Sequence, residues 1–383
     1  MPAVEGPRTP EDLIRSVDEK IDSIRTQSLD FSFNELADMY AQEELIINPE
    51  FQRMFRWPEG SQSRFIESLL LELPIPPIYL IERDDRVYEL IDGLQRISSY
   101  LNFRGELKID GVLQEPLVLS DCDIVPEING LTYDKLPRAL EIKLKRSYIR
   151  AEILRKESDN RLRYYMFKRL NTGGEILSEQ EIRNATIRLL SNDFNSFIVE
   201  LSKNEDFQYC ISTISDNSRL KKFDEELVLR FFAFKNDPDS YQHDVADFLT
   251  EYMEAVSDDE NDSQSFDYEA ERQIFEKTFK ILRTGADKTD VKDRVFGSVV
   301  SGRRSPRGQF SVYHFEGLTL GLQASLDALD PENDQQMERV ASIISEGKAD
   351  PDFIRTTGSG KNDRVPMLAR RKYFTDAFAT AVS

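Results

Sequence analysis

Residues 88–100, YELIDGLQRISSY, predict a strand, a tight turn and a helix in immediate succession. The first residues suit a short strand, and the spacing of Ile97 and Tyr100 favours a helix after it. Gly93 permits the turn, because glycine adopts positive φ without steric strain. The helix is therefore expected to start near Leu94. This strand–turn–helix is the centre of the predicted fold.

A helix start of this kind favours a bound anion, because free N–H groups and the positive end of the helix dipole meet there. Arg96, in the first turn, carries a planar guanidinium that can grip a phosphate with two hydrogen bonds. Gln95 could orient a water molecule or a phosphate oxygen, and Asp92 could hold a metal ion or accept a proton. The other interpretation is a surface strand–turn–helix in which Asp92 caps the helix and Arg96 faces solvent.

The helix before this unit is predicted from SQSRFIESLLLEL, residues 61–73. Phe65, Leu69 and Leu73 recur at four-residue spacing and define its apolar face. The following PIPP is expected to end the helix, because proline cannot continue the hydrogen-bond ladder.

Short strands are predicted around this helix. IYLIE and VYELI flank the charged turn Arg83–Arg86, so the strands around Tyr79 and Tyr88 are expected to pair antiparallel. SYIRAEIL, residues 147–154, predicts another strand. The amino-terminal half therefore belongs to the α+β class.

A second Gln-Arg pair, Gln52–Arg53, lies in NPEFQRMFRWPEG, residues 48–60, with Arg56 and the only tryptophan, Trp57. The aromatic side chains of this loop are expected to pack onto the core. We predict that this pair and Gln95–Arg96 line one cleft.

The rim of that cleft is predicted from FKRLNTGGEILSEQEIRNA, residues 167–185. The segment offers polar groups and backbone that can approach a ligand closely: Asn171, Thr172, Gly173 and Gly174. An ordinary turn between two helices would also explain the glycines. Ser178 and Glu181 fit a capping box for the helix that follows.

Taken together and in this order, the motifs FQR, W, FIESLLLELPIPPIYL, YELIDGLQR and FKRLNTGGEILSEQEIRNA resemble the amino-terminal domain of GmrSD-type restriction endonucleases. The resemblance covers roughly residues 30–190. It implies a ParB/sulfiredoxin-like fold, a role in bacterial anti-phage defence, and nucleotide binding or hydrolysis at an Asp-Gly-Gln-Gln-Arg signature. That signature maps onto Asp92, Gly93, Leu94, Gln95 and Arg96.

The sequence departs from the signature at Leu94, where the family has its first glutamine. Leucine can pack but cannot hydrogen-bond, so binding is better supported than hydrolysis. Many relatives also carry a His-Asn-His nuclease domain, whose chemistry needs clustered histidines and a divalent metal. This chain has only two histidines, His243 and His314, far apart in the sequence. A fused nuclease of that type is therefore not expected.

Composition limits the partners and the compartment. A net charge of -20 repels nucleic acid over much of the surface, so any contact with DNA needs a local basic patch. Two candidate patches, SGRRSPRGQF and TTGSGKNDRVPMLARRKYF, contain Arg303, Arg304, Arg307, Arg370 and Arg371. Flexible, solvated loops would explain both segments equally well.

The two cysteines, Cys122 and Cys210, have no partner at metal-binding spacing, and no apolar run approaches the ~20 residues of a membrane span. A secretory signal is also missing from MPAVEGPRTPEDLIRS. These features favour a cytoplasmic protein without a membrane partner.

The predicted organisation has three parts. Residues 1–30 form a peripheral segment, residues 31–190 the ParB/sulfiredoxin-like nucleotide-binding domain, and residues 191–383 a helical domain, since strand signals fade after residue 190. By resemblance the chain binds a nucleoside triphosphate with Mg²⁺ near Asp92. It is then an Mg²⁺-dependent hydrolase or a subunit of a nuclease system, with a separately encoded nuclease or helicase as partner. The alternatives are a DNA-binding subunit and a ParB-like nuclease that acts directly on DNA.

Overall fold

A computed structural model describes residues 9–10, 13–15, 17–18, 25–47, 55–83, 85–156, 158, 178–187, 190–242, 244–258, 266–289, 294–299, 306–358 and 360–382. The chain divides into two compact units, Met1–Glu175 and Ile176–Ser383. Among the described residues, none of the helices combines the length and the hydropathy that a membrane span requires.

The first unit is built from short strands and helices in mixed order. Its strands are β1 (Thr26–Ser32), β2 (Leu45–Ile46), β3 (Ile78–Glu82), β4 (Tyr88–Asp92), β5 (Lys108–Ile109), β6 (Val112–Leu113) and β7 (Tyr148–Leu154). Its helices are α1 (Phe33–Ala41), α2 (Glu59–Leu70), α3 (Leu94–Arg104) and α4 (Arg138–Arg146).

Five of these strands form one mixed sheet in the order β1-β7-β3-β4-β2, and β5 pairs with β6 separately. β7 runs antiparallel to β1 and parallel to β3, while β2 runs parallel to β4. The middle strands β7 and β3 bury an apolar set that includes Ile78, Leu80, Ala151 and Ile153, each 0% exposed. The predicted α+β class is confirmed.

The predicted hairpin is confirmed as well. β3 and β4 pair antiparallel, with Tyr79 opposite Asp92 and Glu82 opposite Tyr88. The turn is closed by a bond from the Arg83 amide to the carbonyl of Val87, 2.9 Å long. The register shifts between Tyr79 and Leu80, so this irregularity lies opposite the strand end that carries Asp92.

Helix α2 ends earlier than predicted. It stops at Leu70, and Glu72 adopts a positive φ of 56° before the first proline is reached. Phe65 and Leu69 are buried as expected, but Leu73 lies beyond the helix and is 42% exposed. The helix therefore ends before the prolines are reached. The prolines only prevent it from resuming.

The predicted peripheral segment, residues 1–30, includes residues at its carboxyl end that belong to the first unit's sheet. β1 pairs along its whole length with β7, from Thr26 opposite Leu154 to Ser32 opposite Tyr148. Residues 26–30 therefore belong to the sheet. The sequence TQSLD is polar because β1 is an edge strand, and an edge strand keeps one side exposed.

The second unit is mainly helical. Its helices are α5 (Glu179–Thr186), α6 (Asp193–Leu201), α7 (Glu205–Cys210), α8 (Asp216–Leu220), α9 (Phe223–Asn236), α10 (Val245–Ser257), α11 (Tyr268–Asp287), α12 (Val312–Leu322), α13 (Asp334–Glu346), α14 (Pro351–Ile354) and α15 (Arg364–Val382). Phenylalanines dominate its core, where Phe231 and Phe279 both pack against Phe275 with ring centroids 5.5 Å and 4.5 Å away.

The helical prediction for this unit missed one hairpin. β8 (Gly297–Val299) and β9 (Pro306–Phe310) pair antiparallel. Their sequences, GSV and PRGQF, are short and lack the apolar alternation by which a strand is recognised.

The boundary between the units lies upstream of residue 190 because α5 packs with the second unit. The predicted capping box of Ser178 and Glu181 starts this helix, and the Ser178 hydroxyl donates to the carbonyl of Lys221. Arg183 then donates to the Thr250 hydroxyl at 3.0 Å. These contacts attach α5 to helices that follow it in the chain.

Candidate functional site at the start of helix α3

The predicted strand–turn–helix is present, and its turn requires glycine for two reasons. β4 ends at Asp92, Gly93 adopts a φ of 106°, and α3 begins at Leu94. A Cβ atom at Gly93 would lie 2.3 Å from Cγ2 of Ile78. Both the left-handed backbone and the close approach of β3 therefore exclude a larger side chain.

Leu94, the departure from the family signature, is a core residue. It is 4% exposed, so its side chain packs beneath the helix start. A glutamine there would need a hydrogen-bond partner inside the domain, since a buried amide without one is destabilising. Leu94 thus supplies packing energy at a position next to the candidate site.

Arg96 is held by the protein on three sides. Its Nη1 donates to the carbonyls of Pro76 at 2.6 Å and Pro77 at 3.0 Å, and its Nη2 donates to Oδ2 of Asp92 at 2.8 Å. The side chain is only 13% exposed. Arg96 neither faces solvent nor presents an unoccupied fork, and Asp92 pairs with it rather than capping α3. In this arrangement Arg96 fixes the PIPP loop against the helix start.

Gln95 connects the helix start to the loop that follows the other Gln-Arg pair. Its Oε1 accepts from the backbone amides of Arg56 and Trp57, each at 3.1 Å. The indole of Trp57 packs edge-on against Phe65, with centroids 6.0 Å apart, as expected for an aromatic side chain that anchors this loop. Gln52 and Arg53 lie outside the described residues, so their meeting with Gln95–Arg96 stays a prediction. The chain just after them does reach Gln95.

Two further amide side chains, which were not predicted from the sequence, help to hold the loop at Trp57. Gln62 donates to the carbonyl of Trp57 at 2.8 Å, and Asn102 donates to Oε1 of Gln62 at 2.9 Å. Both residues are buried. A signal was available, because Gln62 precedes the buried Ile66 by one helical turn and therefore lies in the apolar stripe of α2.

The candidate metal ligand Asp92 is accessible. Its side chain is 36% exposed, and its second oxygen, Oδ1, has no hydrogen-bond partner among the described residues. Mg²⁺ is often held by one or two carboxylates together with substrate phosphates, so one carboxylate oxygen fits that pattern. Elsewhere among the described residues, no three His, Cys, Asp or Glu side chains cluster as a metal site.

The other predicted contacts divide into residues outside the described parts and residues with a known position. The first group is Asn171, Thr172, Gly173, Gly174, Arg303 and Arg304. Arg307 lies on β9, with only its backbone described. Arg371 lies half-buried on α15.

The prediction that Arg370 contacts nucleic acid is wrong. Arg370 is 1% exposed and lies on α15, so TTGSGKNDRVPMLARRKYF is not a continuous flexible loop. Its guanidinium donates to Oε2 of Glu316 at 2.6 Å and to the carbonyls of Thr356 and Lys361. The helix turns this arginine inward, where Nη1 and Nη2 both donate to groups inside the unit.

Arg370 belongs to a buried chain of alternating charges. Glu316 also accepts from Arg230 at 2.9 Å, and Glu226 accepts from Arg230 at 3.2 Å and from Arg183 at 3.4 Å. The chain links α15, α12, α9 and α5. Removing one partner would leave an uncompensated charge inside the helical unit.

The described architecture defines a class of protein. It is an α+β domain whose mixed sheet presents a glycine turn and a helix start, followed by a helical unit. Residues 33–188 match the family model described as the GmrSD restriction endonuclease, N-terminal domain. This part of the chain is a GmrSD-type amino-terminal domain, which places the protein in the context of restriction systems. Searches of curated proteins and of solved structures found no similar protein.

Proposed function

We propose that this protein binds a nucleoside triphosphate with Mg²⁺ at the start of α3, as a component of a bacterial anti-phage restriction system. The observation that carries the proposal is the contact of Gln95 with the amides of Arg56 and Trp57. It joins the loop that follows Gln52–Arg53 to a helix start, and a helix start favours phosphate.

The residues take different roles in this proposal. Arg53 supplies the positive charge for the phosphates, because Arg96 already donates to Pro76, Pro77 and Asp92. Arg96 and Gln95 are positioning residues that fix the loops on either side of the turn. Gly93 lets the phosphates approach the backbone closely.

Asp92 would contribute a single carboxylate oxygen, Oδ1, to the cation. Bound Mg²⁺ neutralises phosphate charge, and this is the chemistry that it would supply here. Since Arg96 holds Oδ2 at 2.8 Å, the carboxylate is already oriented before a ligand arrives. Asn171, Thr172, Gly173 and Gly174 are predicted from the sequence to form the rim of the site, and this stays a prediction. Hydrolysis is a further step, which turnover measurements decide separately from binding.

Binding is tested by titrating the full chain with the four common nucleoside triphosphates, with and without Mg²⁺, in calorimetry. Arg53→Ala is expected to lower affinity at least tenfold, since a charged hydrogen bond contributes on the order of 1.5–3 kcal/mol. Arg83→Ala is the matched control, because Arg83 is 51% exposed and lies at the hairpin turn.

Asp92→Asn should remove the effect of Mg²⁺ on affinity while metal-free binding persists. The proposal fails if the wild type binds none of the four nucleotides. If it instead retards a DNA duplex and Arg53→Ala abolishes the retardation, the site reads DNA, as in the alternative function.

A further inference from the structure

A concave surface lies on the first unit, formed by residues other than those of the Asp92–Arg96 turn. It is a groove of about 980 Å³ between α4 and the chain that leaves α2, with the first residues of β7 at its end. Its wall includes Leu73, Pro74 and Ile75, and the next residue, Pro76, is held by Arg96. We call this surface the α4 groove.

The α4 groove exposes apolar side chains. Leu73 is 42% exposed, Ile142 is 38% exposed, and Tyr148 is 66% exposed. Helix α4 buries only Leu144 on its inner side, so Ile142 remains uncovered. Exposed apolar residues gathered in one concavity, with charged residues around them, are typical of a binding surface.

Among the residues that the structure describes, the charges around the groove leave one cation without an ion-pair partner. Lys143 pairs with Glu72 at 3.2 Å, and Arg150 pairs with Asp30 at 3.0 Å. Arg146 is exposed and makes no ion pair with any residue that the structure describes. In a chain of net charge -20, the groove is therefore a local place where a single carboxylate is favoured.

This charge balance decides between two classes of occupant. A nucleic acid needs several unpaired cations along its backbone, and interfaces with DNA are strongly positive. Of the three cations among the described lining residues, two are already paired, and most of the other lining residues are aliphatic. Protein interfaces combine such apolar centres with tyrosine and arginine, the residue types found at Tyr148 and Arg146.

We propose that the α4 groove docks a segment of a partner protein that places aliphatic side chains on Leu73 and Ile142 and a carboxylate on Arg146. Tyr148 closes the end of the groove over that segment. This interaction surface does not depend on nucleotide binding, so either proposal can fail without the other.

The test uses displayed 12-residue peptides selected on the full chain. Selected peptides are expected to share aliphatic residues spaced around a glutamate or aspartate. Fluorescence anisotropy of one such labelled peptide should show an affinity at least tenfold lower for Ile142→Glu and for Arg146→Glu. Arg83→Glu, an exposed arginine outside the groove, should bind as the wild type does.

A charge exchange separates docking from a structural effect. Replacing the peptide carboxylate by lysine should weaken binding to the wild type and restore binding to Arg146→Glu. Urea unfolding followed by Trp57 fluorescence should give the same midpoint for all three variants, since the substituted positions are exposed.

Four results would overturn the proposal. Selected peptides could bind Ile142→Glu as tightly as the wild type, or the lysine peptide could fail to restore binding. A 20-nucleotide single strand could bind in a manner that depends on Arg146. Sedimentation could show a wild-type dimer that Ile142→Glu abolishes, in which case the occupant is a second copy of this chain.

Discussion

Replacing Arg96 with alanine should destabilise the first unit by ~2–4 kcal/mol, because the guanidinium makes three hydrogen bonds to the protein. A hydrogen bond to a charged group contributes on the order of 1.5–3 kcal/mol, so three would exceed this figure if they were fully buried. The expected loss of stability is smaller than the sum of three buried hydrogen bonds because water reaches part of this contact. Asp92 is 36% exposed, and solvent can replace part of what is lost there.

Trp57 makes this prediction measurable. It is the only tryptophan, it lies in the first unit, and its backbone contacts Gln95, the neighbour of Arg96. Urea unfolding followed by its fluorescence should show a midpoint lowered by ~1–2 M, for a slope near 2 kcal/mol per M. Arg96→Lys should recover less than half of the loss, because one ammonium cannot reach three acceptors in the geometry of the fork.

The control is Arg83→Ala, whose ion pair with Glu89 spans 3.2 Å and whose side chain is 51% exposed. Its midpoint should stay close to that of the wild type, since exposed pairs contribute ~0–1 kcal/mol. The reasoning is refuted if Arg96→Ala has the same urea midpoint as the wild type but binds nucleotide at least tenfold more weakly. Arg96 would then be a phosphate ligand that leaves its three acceptors.

Three other perturbations test the remaining contacts. Gly93→Ala should destabilise the first unit by ~3 kcal/mol or more in the Trp57 assay, because a φ of 106° and a contact of 2.3 Å with Ile78 both oppose a methyl group; unfolding at the wild-type midpoint would contradict this. Gln95→Leu should speed tryptic cleavage after Arg56, since the amides of Arg56 and Trp57 lose their acceptor, whereas Gln95→Glu should not. Burial lowers the pKa of His314 to about 3 from 6.5, so between pH 6.5 and 3 the unfolded chain binds a proton that the folded chain does not, and His314 makes the protein less stable as pH falls through that window. Between pH 7 and 4.5, the free energy of unfolding of His314→Phe should therefore fall by ~2–3 kcal/mol less than that of the wild type, measured by urea unfolding with circular dichroism. An equal fall in both proteins would mean that His314 is protonated in the folded state.

The local elements of the first unit could be predicted because short-range rules govern them. Antiparallel pairing of β3 and β4 follows from two apolar runs joined by a short charged turn. The capping box at Ser178 was predictable for the same reason, since both of its hydrogen bonds join residues within one helical turn. Such contacts depend on spacing along the chain, and spacing is visible in the sequence.

The sequence predicted which residues form the candidate site, but it did not predict their hydrogen-bond partners. Asp92, Gly93, Gln95 and Arg96 occupy the predicted turn, yet which groups accept from Arg96 depends on where the PIPP loop lies. Arg370 shows the same limit. A run of basic residues suggests an exposed patch, but on α15 the helical rotation buries Arg370 and leaves Lys372 exposed.

The sequence by itself determined the α+β class, the β3–β4 hairpin, the glycine turn and the family of residues 33–188. Only the tertiary structure decided that Gln95 holds the loop at Arg56, that Arg96 holds the prolines, and that an apolar groove lies beside α4. The physical reason is the separation along the chain over which each interaction acts. Periodicity and turn chemistry act over a few residues, whereas these contacts join residues separated by tens of positions, and packing of the whole domain selects them.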